Sequence, residues 1–318
     1  MPNASTKKLS SVAIIGMILS FLNAPTRTPW CEKIAHMNLD AQDDVLEYAI
    51  ASATPQMRRW IGGRESKKLF AQSIEVRSEP FEATVFDLVK NWVYDKTGLL
   101  RSRVARFTAR SQTHWDKLAS EAIELGEATQ TYDGANFFSA THSTGKSGTI
   151  KNLVVAADVP ALNVTTPNAP TAAEAVDIIY GLFTHFKTFK DDAGEPIYED
   201  LMSIIVMVPV KMGAAFQQAV SATILATGGS TKDNPLLRSD YQVEVIVNPR
   251  LTSDTVIYAF TKENDPALIC QQQGKVELSN KAEGSDYEHD TGQWEFGMKA
   301  DRSVGLFCWQ AALKATLS

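Results

Sequence analysis

The sequence predicts an α+β fold built from one extended ribbon, one long helix and one compact middle unit. A period of two residues over 66–94 predicts β-structure, because successive side chains of a strand point to opposite faces. Apolar residues spaced by three and four over 98–126 predict a helix of about six turns. Over 172–262 the pattern reads helix–strand–helix–strand–strand, which is typical of a unit with its own core.

The composition is that of an ordinary globular protein and does not indicate a dedicated nucleic-acid binder. Of the 318 residues, 44% are hydrophobic and 21% are charged, and the formal net charge is -6. A nucleic-acid-binding protein would carry a basic surface, so we expect only weak, non-specific contact with DNA. The three cysteines lie far apart without a C-x-x-C pair, which argues against a zinc site and favours a reducing cytoplasm.

The first 58 residues are predicted to form an arm that borrows its core from elsewhere. Lys7 and Lys8 precede an apolar segment, 9–24, that has either the plan of a secretory signal or that of a helix docked on a neighbouring subunit. The segment is too short to span a bilayer, so no membrane partner is expected. A short helix is predicted over 38–50.

The ribbon and the long helix are expected to contact other subunits. Two strands on either side of a turn at 78–80 form the predicted hairpin, which alone in water would be marginally stable. The helix over 98–126 has arginines near its start and glutamates near its end, which opposes the helix dipole. Either these charges are simply solvated or each end meets an opposite charge on another chain. The predicted interface residues are Trp60, Arg64, Phe81, Glu82, Phe86, Trp92, Arg101, Arg103, Glu121 and Glu124.

For two of these residues a second interpretation stays open. Phe81 and Phe86 either anchor the ribbon on a neighbouring subunit, as buried aromatic residues do at interfaces, or pack on their own domain.

The middle unit is predicted from one capping motif and several apolar runs. Thr171 and Glu174 form a capping box at the start of a helix. The continuous apolar run 203–210 predicts a buried strand. The other predicted elements are a helix over 211–226 and strands over 241–247, 255–261, 275–278, 293–300 and 304–312.

No group of residues predicts a catalytic site, so we expect neither an enzyme nor a cofactor. The five histidines are scattered, and none occurs in an H-x-x-x-H or H-E-x-x-H pattern. The segment 144–148 ends like a phosphate-binding loop, but Ala140 stands where that loop requires its first glycine. The acidic run 286–290 is either a solvated loop or a cation site.

Four short motifs occur in order along the chain. They read WIGGR at 60–64, FEATV at 81–85, YDGANFF at 132–138 followed by Thr141 and His142, and WEFG at 294–297 followed by GLFCWQ at 305–310. Together they resemble the major head subunits of Mu-type tailed phages, a branch of the Hong Kong 97 capsid family, over roughly 58–314. The family-motif loop contributes Tyr132, Asp133, Gly134, Phe137, Phe138 and His142.

The resemblance implies a Hong Kong 97-type capsid fold in five parts. These are an N-terminal arm (1–58), an extended β-hairpin loop over a neighbouring subunit (59–97), a peripheral domain with a spine helix (98–171), an axial domain (172–262) and C-terminal strands that return to the peripheral domain (263–318).

The function implied is that of a major capsid protein. It would self-assemble into hexamers and pentamers of an icosahedral head enclosing double-stranded DNA of a tailed phage or prophage, without covalent crosslinks. Its partners would be copies of itself, scaffold, portal and a decoration protein, and it would reach the virion after assembly in the host bacterial cytoplasm. The alternatives are a cellular nanocompartment of the same fold and a metal-dependent enzyme using Asp133 and His142.

Overall fold

The structure is a computed structural model that describes residues 10–23, 28–51, 62, 70–94, 99–227, 230–261, 263 and 265–318. Its helices are α1 (Ser11–Asn23), α2 (Val89–Val93), α3 (Leu100–Glu124), α4 (Ala172–Phe186), α5 (Val210–Ser221) and α6 (Asp286–Thr291). Its strands are β1 (Ala35–Ala41), β2 (Val45–Ala51), β3 (Phe70–Arg77), β4 (Glu79–Leu88), β5 (Leu153–Val154), β6 (Ser203–Val208), β7 (Ile224–Thr227), β8 (Ser230–Asp233), β9 (Gln242–Val247), β10 (Val256–Phe260), β11 (Leu268–Lys281), β12 (Gln293–Leu306) and β13 (Ala312–Thr316).

Two larger sheets and two short ribbons organise these strands. The four-stranded sheet has the order β1-β11-β12-β4, with β1 parallel to β11 and the other pairs antiparallel. The five-stranded sheet has the order β5-β13-β10-β6-β9. The ribbons are β2-β3 and β7-β8. The fold is therefore mixed α and β, as the sequence predicts.

The predicted helix over 38–50 is wrong. This stretch forms the end of β1 and most of β2, and its partners are distant in sequence: Asn38 lies opposite Gln271, and Tyr48 lies opposite Ile74. The local apolar spacing favours a helix, but pairing with β11 and β3 satisfies the backbone groups of both strands. Tertiary pairing thus overrides a weak local preference.

The predicted hairpin over 66–94 has the right conformation but the wrong partners. Both β3 and β4 are strands, yet they do not pair with each other, and only Ser78 separates them along the chain. Instead β3 pairs with β2, and β4 pairs with β12 along its whole length, from Glu79 opposite Arg302 to Leu88 opposite Gln293. The ribbon is therefore β2-β3, and the predicted interface residues Trp60 and Arg64 lie outside the described residues.

The long helix is confirmed as α3, with 25 residues. Its buried side chains recur by three and four residues, which sets one face against the four-stranded sheet. Gly126 follows in a single 3₁₀ turn, where an added Cβ would lie 2.5 Å from Cδ2 of Phe138. The glycine is needed for this close contact.

The middle unit follows the sequence prediction closely. The capping box is present, since Thr171 Oγ1 accepts a hydrogen bond from the Glu174 backbone while the Glu174 carboxylate accepts from the Thr171 backbone. The apolar run at 203–208 is a buried strand of the five-stranded sheet, between β10 and β9, and helix α5 ends earlier than predicted, at Ser221. The last strand, β13, pairs with β10 and so joins this sheet. It also pairs with β5, and the return of the C-terminal strands to the peripheral domain stays a prediction.

Two separate apolar clusters stabilise the chain. The larger one joins the five-stranded sheet, α4, α5, the second half of α3 and part of the four-stranded sheet. The smaller one contains Ile14 and Ile18 of α1, Trp92 of α2, the start of α3 and the end of β12 that precedes Ala300. Helix α1 thus docks on its own chain. No helix among the described residues is long and apolar enough to cross a membrane.

The contact between Gly126 and Phe138 gives a direct test of this packing. We expect Gly126→Ala to lower the free energy of unfolding by about 1–3 kcal/mol, because Phe138 is buried against Tyr258 and has little room to move. Urea unfolding of the unassembled full chain measures the change.

The matched control is Gly16→Ala in α1, where an added Cβ meets nothing within 4 Å. This variant is expected to be neutral or to stabilise by up to about 1 kcal/mol, because alanine favours a helix over glycine. Equal effects at the two positions would contradict the packing account.

Candidate assembly surfaces

The family-motif loop is held by a buried polar network. The His142 side chain is fully buried, and its Nδ1 lies 2.6 Å from Oδ2 of Asp133. Its Nε2 lies 3.2 Å from Oδ1 of Asn152. Asn152 also donates to the carbonyl oxygens of Phe137, at 2.6 Å, and Trp309, at 3.1 Å. The network therefore ties the loop to the C-terminal segment.

This network does not have the features of a catalytic or metal site. The imidazole of His142 stacks on Trp309 with ring centroids 3.9 Å apart and an angle of 3°, so a substrate cannot reach it. Burial alone would raise the pKa of Asp133, but hydrogen bonds from Thr131, His142 and the Ala135 backbone outweigh it and hold that pKa below its ordinary value. Within the described ranges, no group of three His, Cys, Asp or Glu side chains could hold a metal ion.

The aromatic residues of the same loop are core residues. Phe137 and Phe138 are buried, and their rings meet edge to face with centroids 5.0 Å apart. Tyr132 donates a hydrogen bond from its hydroxyl to Gln310, at 2.9 Å, and burial raises its pKa. Gly134 has a φ of 82°, which favours glycine at the turn. The motif thus fixes the loop on the end of the chain.

Several predicted interface residues have partners within their own chain. Phe81 packs edge to face on His114 with centroids 4.5 Å apart, and Trp92 packs in the same manner on Phe296. Glu124 accepts hydrogen bonds from the backbone and hydroxyl of Thr252, at 2.6 and 2.9 Å. An interface role for these residues stays a prediction.

The charged residues Glu121, Arg101, Arg103 and Glu82 are exposed. Glu121 lies 3.7 Å from Lys117 one turn earlier, and Arg101 lies over the ring of Phe21 at 5.9 Å. Pairs and contacts of this kind contribute little to stability, so the side chains remain available to other chains.

Phe86 is the predicted interface residue with the greatest apolar exposure. It is 60% exposed on β4 and stands at the edge of a pocket of about 190 Å³. Trp92, Arg103 and Leu100 also line this pocket. The indole nitrogen of Trp92 is buried without a hydrogen-bond partner among the described residues. This surface could take an apolar side chain from another molecule.

The ribbon β2-β3 forms a second surface. Only Ile50 and Val76 are buried among its described side chains. Tyr48 anchors the near end through hydrogen bonds with Asn38, at 2.8 Å, and Gln271, at 3.0 Å. Glu47 and Glu75 lie directly opposite each other and are exposed, an arrangement that costs stability in an isolated ribbon.

The middle unit exposes three large apolar side chains that the sequence did not single out. Val210 is 59% and Ile224 58% exposed, and Leu237 is also exposed. Their elements are α5, β7 and the turn after β8. No local pattern singles them out, because isolated apolar residues on a surface are common.

The acidic run 286–290 lies in the short helix α6, capped by Ser285, and is not a loop.

Comparison with known proteins agrees with the geometry. Residues 19–165 match the family model of the Mu-like prophage major head subunit gpT. A comparison with curated proteins gives no significant match.

Three solved structures share the fold. The procapsid of bacteriophage JBD30 has 16% identity, covers 96% of this chain and 75% of its own, and gives a TM-score of 0.54. The capsid of cyanophage P-SCSP1u has 11% identity, covers 91% of this chain and 88% of its own, and gives a TM-score of 0.54. A virus-like particle from Pyrococcus furiosus has 10% identity, covers 94% of this chain and 96% of its own, and gives a TM-score of 0.52. At such low identity these likenesses establish the fold alone.

The fold is that of Hong Kong 97-type capsid proteins, which are structural shell subunits and not enzymes. Within that fold, the match of residues 19–165 to the Mu-like prophage major head subunit family covers a little under half of the chain. The resemblance of the sequence motifs to this family is thereby confirmed.

The polar network gives a pH-dependent prediction. Because the pKa of Asp133 in the folded state lies below its ordinary value, its carboxylate stabilises the fold above that ordinary value, and the contribution is lost as the pH falls through the folded pKa. Asp133→Asn should lower the free energy of unfolding at pH 7 by about 1–3 kcal/mol.

The difference between the Asp133→Asn and wild-type proteins should shrink at about pH 3, because this lies below the ordinary pKa of an aspartate, so the unfolded chain is protonated there more readily than the folded chain. Urea titrations at both pH values measure it. Asp290→Asn, which removes an exposed carboxylate on α6, is the control and should change neither value. If Asp133→Asn lowered the free energy of unfolding equally at both pH values, the role assigned to the ionised Asp133 would be contradicted.

Proposed function

We propose that the chain is the major head subunit of a tailed phage or prophage and assembles into hexamers and pentamers of a closed shell around double-stranded DNA. The family match and the capsid fold establish the coarser function, a self-assembling shell subunit of a virion. The finer statements, on hexamers, pentamers and host cytoplasm, rest on how the surfaces of the chain are arranged.

The ribbon β2-β3 is the observation that carries the proposal. Two strands without a third partner are marginally stable in water, and this ribbon buries only two of its described side chains. A ribbon of this kind gains stability by lying on another molecule. In a shell of identical subunits, the other molecule is the next copy, and such head-to-tail contacts close into rings.

The pocket beside Phe86 supplies a complementary surface. An exposed aromatic side chain next to an apolar pocket is the arrangement that dominates the energy of protein interfaces. Many such contacts act together in a shell, so each can be weak.

The division into arm, loop, peripheral domain and axial domain remains part of the proposal, with one change. Because β3 pairs with β2, we assign the extended loop, predicted over 59–97, to the ribbon formed by β2 and β3. Scaffold, portal and decoration proteins are proposed partners. The nanocompartment alternative is not favoured, because the family match is to phage head subunits.

Assembly can be tested at Phe86. The full chain should form particles visible by electron microscopy and sedimenting as large assemblies, whereas Phe86→Asp should leave soluble subunits. The reason is that Phe86 is 60% exposed in the single chain, so a charge there should spare the fold and disrupt only a contact with another copy.

Phe86→Leu is the matched control and should still assemble, since it keeps an apolar side chain. Val155→Asp places the same charge at another exposed apolar position, outside the pocket, and should assemble as well. Normal particles from Phe86→Asp would refute the interface role of this surface, and monomers from the unaltered chain would refute the proposed function.

A further inference from the structure

A cleft of about 350 Å³ lies between α3, strands β4 and β12, and the loop after β9. It concentrates positive charge that the overall charge of -6 conceals. Its basic residues come from separate parts of the sequence, and Glu82 is the one carboxylate among the residues that line it. The basic residues of the cleft are Arg110, His114, Lys117, Arg250, Lys299 and Arg302.

Three of these cations have no carboxylate partner among the described residues. Lys117 pairs with Glu121 and Lys299 pairs with Asp301, both on the exposed surface. By contrast, Arg110 and Arg250 are exposed and make no ion pair in the part of the chain described. The Glu82 carboxylate accepts a hydrogen bond from Thr84. The cleft therefore holds an excess of guanidinium groups.

Arg302 lines the cleft as a charged side chain that is only 5% exposed. Its Nε donates to Gln272 at 2.8 Å, and its two terminal nitrogens donate to the carbonyl oxygen and hydroxyl of Ser111, at 2.6 and 3.2 Å. A guanidinium has five N–H groups, so two remain without an acceptor among the described residues. The same guanidinium lies 4.6 Å over the ring of Trp115, so its own chain fixes its position while its charge faces the cleft.

A neutral wall completes the cleft. Burial, together with the charges of Arg302, Lys117 and Arg250, lowers the pKa of His114 to about 4. At neutral pH the imidazole is therefore uncharged. It packs on Phe81, and Met298 also lines the cleft. Cations beside an apolar wall suit a nucleotide better than they suit a lone carboxylate.

We propose that this cleft binds phosphate groups of a nucleic-acid backbone. Guanidinium groups bind phosphate oxygens in pairs, which favours phosphate as the anion. Arg110 and Lys117 lie seven residues apart, or about 10 Å along the helix axis, which is too far for one phosphate to bridge. Successive phosphates of one strand can reach both. The site goes beyond the shell function, and its test does not require assembly.

The test is the binding of a fluorescent single strand of about 12 thymidines to the full chain in dilute solution, followed by anisotropy against salt concentration. Removing two phosphate contacts with Arg110→Ala and Arg250→Ala together should weaken binding at least about tenfold. The slope of log affinity against log salt should fall by about 1.4. The control removes two arginines outside the cleft, Arg103→Ala with Arg238→Ala, and should bind like the unaltered chain.

Two competitors identify the source of the anion. One competitor is inorganic phosphate, and the other is a peptide of residues 40–51, which is rich in carboxylates. Each is added so that its concentration of negative charges equals that of the DNA strand. Weak competition by both supports a polynucleotide site. Full competition by phosphate would overturn it in favour of a free-anion site, and full competition by the peptide in favour of a contact between copies. Absence of strand binding, or equal losses in the cleft and control variants, would also overturn it.

Discussion

The contact of Arg302 with the middle of α3 fixes this helix on the four-stranded sheet. Arg302 lies on β12 between the two apolar clusters, and its guanidinium bonds to Ser111 while covering the ring of Trp115 at 4.6 Å. Burial lowers the pKa of the guanidinium to about 10, so it keeps its charge at neutral pH. The charge is met by neutral acceptors and an aromatic face. Helix and sheet are thus fixed at one point, while the clusters secure their ends.

A rigid body with attached extensions follows from this arrangement. The motif loop is secured to the C-terminal segment by Asn152, which reaches two backbone carbonyls at once. Helix α1 covers the smaller cluster with Ile14 and Ile18. In contrast, the ribbon β2-β3 joins its own core through few side chains, chiefly Tyr48, Ile50 and Val76. The parts that have little core of their own are those that a shell can place on neighbouring subunits.

The sequence predicts the elements whose signals are local. The stripe of α3, the capping box at Thr171 and the apolar strand β6 depend on neighbours within a few residues, and all three are confirmed. Pairing between distant strands has no local signal. For this reason the partner of β4 was wrong, and so was the helix expected over 38–50.

The candidate sites show the same limit. The motif residues Asp133 and His142 could be found from the sequence, but their burial under Trp309 could not, because that contact joins parts of the chain far from each other. Phe86 was predicted to be exposed on a ribbon and is exposed, although on a strand of the main sheet. The basic cleft depends on residues from three regions, so only the fold brings them together.

The central claim is that the ribbon β2-β3 is completed by a neighbouring subunit. Electron cryomicroscopy of particles assembled from the full chain tests it most directly. The account predicts closed shells in which residues 45–77 of each subunit cross onto the next copy, with Glu47 and Glu75 facing that copy's positive charges. A ribbon that folds back onto its own subunit, with no contact to another copy, would contradict the account.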